Sequence, residues 1–122
     1  MQYVSWKDDT KPQVIPPKKW TLMVFNKLSL INPVANGLGH FGVYINVTNP
    51  ADAKRVSVRF SRDPKGANDF TGQHVVDMTS DNIDSHTWFF QAKKGTPIGV
   101  MVYHNGTKPI TIGTREFKAA IG

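Results

Sequence analysis

Apolar residues in this chain recur at every second position, and turn residues cut the runs short. Phe41, Val43, Ile45 and Val47 alternate with Gly42, Tyr44, Asn46 and Thr48, and Val56, Val58 and Phe60 alternate with Arg55, Ser57, Arg59 and Ser61. Successive side chains of an extended strand point to opposite faces, so this spacing predicts strands with one face in a core and the other in water. Asn32-Pro33, Asn36-Gly37, Asn49-Pro50, Asp63-Pro64, Lys65-Gly66, Thr71-Gly72, Gly95 with Pro97, and Asn105-Gly106 separate the runs. Each supplies a turn dihedral at low steric cost. Asn105-Gly106, between Val102-Tyr103 and Ile110, is the best hairpin signal. Helical spacing is lacking, apart from room for one turn at Pro50 to Lys54.

The last third carries the same pattern, with runs His86 to Gln91, Ile98 to Tyr103 and Ile110 to Ile121 broken at Lys93 to Pro97 and His104 to Pro109. Trp20 to Phe25 and Lys27 to Ile31 are further strand candidates. Many short strands at this spacing predict an all-β fold, an antiparallel β-sandwich or jelly roll, with related barrels as the competing geometry. A chain of 122 residues is one domain by length and buries roughly two-thirds of its unfolded surface.

Residues 1–19 differ from the rest. They hold Pro12, Pro16 and Pro17, four lysines and two aspartates, with Tyr3, Val4, Trp6, Val14 and Ile15 among them. Two consecutive prolines keep a segment extended and remove backbone donors, so the expectation is an arm over 1–19 ahead of a sandwich body over 20–122. A frayed terminus or a first edge strand competes with that reading.

Chemistry is conspicuous by its absence. Without cysteine, disulfides, thiolate metal sites and a cysteine nucleophile are excluded. His40, His74, His86 and His104 show no ligand spacing, and no metal or other cofactor is expected. Asp63 to Asp69 and the cluster Asp77, Asp81, Asp84 read as polar loops, since neither has calcium-loop spacing. Glu116 is the single glutamate, which disfavours a paired-carboxylate glycosidase, and no serine has the neighbours of a nucleophile elbow. The N-terminus has no basic start before an apolar run, and no segment approaches the ~20 apolar residues of a membrane span. A soluble, unprocessed, non-enzymatic protein is therefore expected.

The net charge of +6 invites a nucleic-acid reading. The basic residues come as separated pairs, Lys18-Lys19, Lys54-Arg55 and Lys93-Lys94, without a stripe of interleaved aromatics, so no nucleic-acid partner is expected. A solvated surface explains the charge, and attraction to an acidic partner surface is the alternative.

Trp88, Phe89 and Phe90 are consecutive, so a strand sends Phe89 to one face and Trp88 with Phe90 to the other. Three readings stay open: a central strand covered on both sides, one core face with one subunit interface that Tyr44 and Tyr103 extend, or a carbohydrate-binding platform.

The order Ile15 to Thr21, Gly39 to Ile45, Arg55 to Phe60, Lys93 to Val100 and a closing Glu116 to Ile121 resembles the jelly roll of the tumour-necrosis-factor and C1q type, in particular its small bacteriophage versions. Lys94-Gly95 and Phe117 match a turn and a closing strand of that pattern, and Val43-Tyr44 its opening strand. The resemblance implies a homotrimer with Tyr44, Trp88, Phe90 and Tyr103 at the threefold interface. It further implies a capsid decoration (cement) protein on the outer surface of the virion, whose partner is the major capsid protein. The arm residues Tyr3, Trp6, Lys7, Lys11, Val14 and Ile15 would then grip the shell. The alternative that it implies is a receptor- or carbohydrate-binding head of a phage tail or fibre.

Overall fold

The computed structural model describes residues 1–62, 70–76 and 83–122. The expected loop Asp63 to Asp69 and the aspartates Asp77 and Asp81 lie outside the described residues. The chain is all-β, and two antiparallel sheets form a β-sandwich. Its elements are β1 (Gln2–Asp8), β2 (Gln13–Ile15), β3 (Thr21–Leu22), β4 (Gly37–Val47), a 3-10 turn (Pro50–Asp52), β5 (Val56–Arg62), β6 (Phe70–Val76), β7 (Ile83–Ala92), β8 (Ile98–Tyr103) and β9 (Ile110–Ile121). One sheet has the order β1-β9-β4-β7 with β2 also paired to β9, and the other has the order β3-β8-β5-β6.

The alternation in β4 holds as expected: Phe41, Val43, Ile45 and Val47 are all buried. They meet Val56, Val58 and Phe60 of β5 and Val100 and Val102 of β8, with Phe117 and Phe90 completing the layer between the sheets. Phe41 lies between Phe90, stacked at 4.2 Å, and Phe60 at 6.0 Å. Such offset ring pairs add to the burial of their large apolar area.

Several expectations are corrected. Residues 1–19 are not an arm lying away from the body: β1 pairs with β9 from Gln2↔Ile121 to Asp8↔Arg115, and β2 pairs with the other end of β9. Strand β9 runs for 12 residues and has β4 on one side only, so two short strands in series fill its other edge. The prolines fall in the links, Pro12 before β2 and Pro16-Pro17 after it, where no ladder donor is needed. Ile15 is fully buried, and Trp6 packs on Phe117 at 5.4 Å and Phe25 at 6.1 Å.

Asn105-Gly106 does not close a hairpin. Strand β8 pairs with β5 and β3, whereas β9 pairs with β1, β2 and β4, so the link carries the chain from one sheet to the other. It is held by Asn105 N–H donating to the Lys54 carbonyl at 2.6 Å. Gly106 serves a close approach there, because a Cβ on it would sit 2.5 Å from the Asp52 carbonyl oxygen.

Residues 20–31 form little strand. They contribute β3 and the isolated pairs Phe25↔Leu28 and Ile31↔Ile98, and Leu22 and Leu30 lie over Gly99 on the outer face of the β3-β8-β5-β6 sheet. The second face of β5 is consequently covered rather than wet, with Ser57 and Ser61 both buried. Thr71-Gly72 falls inside β6, where the pairing steps from Arg59↔Gln73 to Phe60↔Thr71 and leaves Gly72 as the extra residue of a bulge. The turn at Lys93 to Thr96 forms as expected, with Gly95 at φ 81°.

Candidate functional site

The outer face of the five-stranded sheet carries the site. Residues directly opposite one another across strands share a face, so the register lays out this surface in rows. One row runs Tyr3, Ala120, His40, Phe89 across β1, β9, β4 and β7. The next runs Ser5, Lys118, Gly42, Thr87, and the third Lys7, Glu116, Tyr44, Ser85. Large rings stand at the two ends of the first row, while Ala120 and Gly42 leave the middle low. The result is a groove of about 750 Å³ with a mostly apolar lining.

Local sequence explains each wall. Phe89 occupies an odd position of β7 and points away from the core that Phe90 fills; it is 59 % exposed, against 7 % for Phe90. His40 meets Phe89 edge-on, with the ring centroids 4.4 Å apart and the planes at 81°. Tyr3, 73 % exposed, stands at the opposite rim on β1. Three strand intervals separate the two rims, roughly 14 Å. Trp88 lies on the inward side of β7, opposite Phe41, yet remains 42 % exposed because β7 is the sheet edge, and it adds to the groove lining.

The polar groups of the groove are Ser5, Thr87, His40 and the Lys118 ammonium, all able to donate hydrogen bonds. Among the described residues no cluster of His, Asp or Glu has the geometry to hold a metal ion. Nor does the groove hold a pair of carboxylates: Glu116, next to it, is the one acidic side chain in the three rows.

A second charged cluster is structural. Arg115, buried on the inner side of β9, donates from Nε to the Val24 carbonyl at 2.6 Å and from one terminal nitrogen to the Lys11 and Gly113 carbonyls at 2.9 Å each. Its other terminal nitrogen meets the Asp8 carboxylate at 3.1 Å. That carboxylate also accepts the Asn26, Thr10 and Lys11 backbone N–H groups. These bonds, that of Asn26 first, hold the Asp8 pKa down at about 2, with Arg115 helping and burial opposing. These bonds tie β1, the 10–13 link and the 24–26 turn to β9.

The structure scatters the residues expected at a trimer interface. Tyr44 is on the outer face of one sheet, and Tyr103 lies on the outer face of the other against Trp20 at 5.3 Å. Phe90 is core and Trp88 sits at an edge, so the four form no common patch. The six expected arm residues scatter too. Tyr3 rims the groove and Lys7 lies beside it; Trp6 and Ile15 pack inward; Lys11 and Val14 are exposed near the Asp8–Arg115 pair. Sequence reasoning missed Gly42, Lys118 and Ala120, whose one signal was the small-and-polar half of the alternation in β4 and β9.

No protein-family model and no curated protein matches the sequence. Solved structures do match in fold. The C-terminal CBM6 of LamC, a laminarinase from Zobellia galactanivorans, aligns with a TM-score of 0.54 over 95 % of this chain and 98 % of that one, at 10 % identity. A carbohydrate-binding module from Cellvibrio mixtus lichenase 5A, solved with cellotriose, aligns with a TM-score of 0.50 over 91 % and 87 %, at 12 % identity. These matches overturn the resemblance to tumour-necrosis-factor and C1q jelly rolls. The capsid-decoration reading falls with it, since it rested on that family and on a free arm that the pairing of β1 and β2 removes. Over nearly its whole length the chain has a CBM6-like β-sandwich fold.

Proposed function

We propose that this protein binds carbohydrate, without chemistry, in the groove on the outer face of the five-stranded sheet. The observation that carries the reading is the pairing of exposed rings, Tyr3 and Phe89, with a low floor at Gly42 and Ala120. A sugar ring has an apolar face of C–H groups and an edge of hydroxyls. It needs a flat ring to cover the first and upright polar donors and acceptors to meet the second. Rings at the rims and Ser5, Thr87, His40 and Lys118 between them supply both. The fold similarity to two carbohydrate-binding modules, one of them solved with cellotriose, points the same way. Of the earlier expectations, the carbohydrate-binding alternative and the absence of catalysis are the parts retained.

Titration calorimetry with gluco-oligosaccharides of three to six units tests this. Binding should be measurable for the native protein, and Phe89→Ala or Tyr3→Ala should weaken it about 5- to 30-fold each, the cost of about 1–2 kcal/mol for truncating a ring at the rim of a contact. Gly42→Val fills the floor without disturbing the strand, since a Cβ there meets the Thr87 methyl at an ordinary 3.5 Å and the His86 carbonyl oxygen at 4.0 Å. It should abolish binding and keep the Tm. Unchanged affinity in all three variants would refute the site.

A further inference from the structure

We infer that the groove takes a glycan carrying an anionic substituent, with Lys118 as the residue that selects it; this rests on the carbohydrate-binding reading above. Lys118 stands in the middle row of the face, between Ser5 on β1 and Gly42 on β4, neither of which bears charge. Among the described residues no hydrogen bond or ion pair engages its ammonium. Its nearest carboxylate on the face is Glu116, two residues along β9 and so roughly 7 Å away. Glu116, however, has Lys7 directly opposite it in register, at the distance of a cross-strand pair. The three rows thus carry two ammonium groups against one carboxylate, and among the described residues neither Lys7 nor Lys118 is ion-paired with Glu116. Lys118, which lines the groove, therefore gives it a net positive charge.

A neutral glycan leaves that ammonium with nothing but water and hydroxyls, and covering the groove removes part of its water. A carboxylate or sulfate on the sugar replaces the lost hydration with a charge-assisted hydrogen bond. The surrounding rings lower the local polarity and strengthen that contact relative to one in open solvent. The net charge of +6 works in the same direction at long range, raising the on-rate for an anionic chain at low salt. Lys118 thus gives the site a sign, while Tyr3 and Phe89 give it a shape.

The test is a calorimetric comparison, at physiological ionic strength, of a neutral gluco-oligosaccharide with oligogalacturonate and with a sulfated gluco-oligosaccharide of equal length. Native protein should bind at least one anionic chain about tenfold or more tighter than the neutral one. Lys118→Gln should erase that preference, weakening the anionic chain about tenfold more than the neutral one. Lys108→Gln, which removes an equal charge from the β8–β9 link, should leave the preference intact. Whether the carboxylated or the sulfated chain gains identifies the substituent, and either gain supports the inference. Equal affinity for neutral and anionic chains overturns it while leaving carbohydrate binding standing, as does an equal loss in Lys108→Gln. Binding of none of the three would instead remove the carbohydrate reading itself.

Discussion

His104 has no contact with solvent, although its place between Tyr103 and Asn105-Gly106 reads as a surface turn. Its Nδ1 accepts the Gly106 N–H at 3.3 Å, and its carbonyl accepts the Lys18 N–H at 2.9 Å, so it plugs the link between β8 and β9. Burial pushes its pKa below the ordinary 6.5, with the Ile15 backbone and the Asp52 carboxylate opposing. The folded chain therefore holds His104 neutral where the unfolded chain has begun to take up a proton. Stability is full above about 6.5 and is lost as the pH falls below it. Urea midpoints from pH 7.5 to 5 should decline over this window, and His104→Gln should flatten the decline while lowering the plateau. A midpoint that stays level across that range would contradict a buried neutral imidazole. The hidden cause at this scale is Gly106: a glycine needed for close approach looks, in sequence, the same as one needed for a turn.

At the scale of elements, β4 and β5 were legible because an alternating run has one way to bury its apolar half. Strand β1 was not, because lysines and prolines around it look like a solvated arm, and only the unfilled edge of β9 shows where it belongs. The pair Asp8–Arg115 locks that placement. Both side chains are 3 % exposed, so removing one leaves the other buried without its partner. Asp8→Asn should lower the Tm by roughly 10 °C. Because the Asp8 pKa is held at about 2 against an ordinary 3.8, its contribution is present above pH 4 and drains away between about 4 and 2. Acid denaturation followed by tryptophan fluorescence should show a step in that window for the native chain, from Trp6 leaving Phe117, and no such step for Asp8→Asn.

For the whole molecule, the sandwich followed from strand spacing and turn residues, whereas the groove is a product of register. Its residues come from four strands spread from Tyr3 to Ala120, and no local pattern joins Gly42 to Lys118 or Tyr3 to Phe89. The alternation through Trp88, Phe89 and Phe90 did separate an inner from an outer ring. It could not say that Phe90 is the inner one, which depends on the pairing of β7 with β4. The hairpin assigned to Asn105-Gly106 failed for a related reason: a turn sequence sets a local dihedral and does not choose the sheet that the next strand joins. The proposed carbohydrate site rests on the face that this register builds. The most direct measurement is amide chemical-shift mapping during titration with the tightest-binding oligosaccharide. Tyr3, Ser5, His40, Gly42, Thr87, Phe89, Lys118 and Ala120 should shift together along one binding curve. Shifts confined to the opposite sheet or to the Thr10–Val14 and Val24–Lys27 segments, with this face unmoved, would contradict the proposed site.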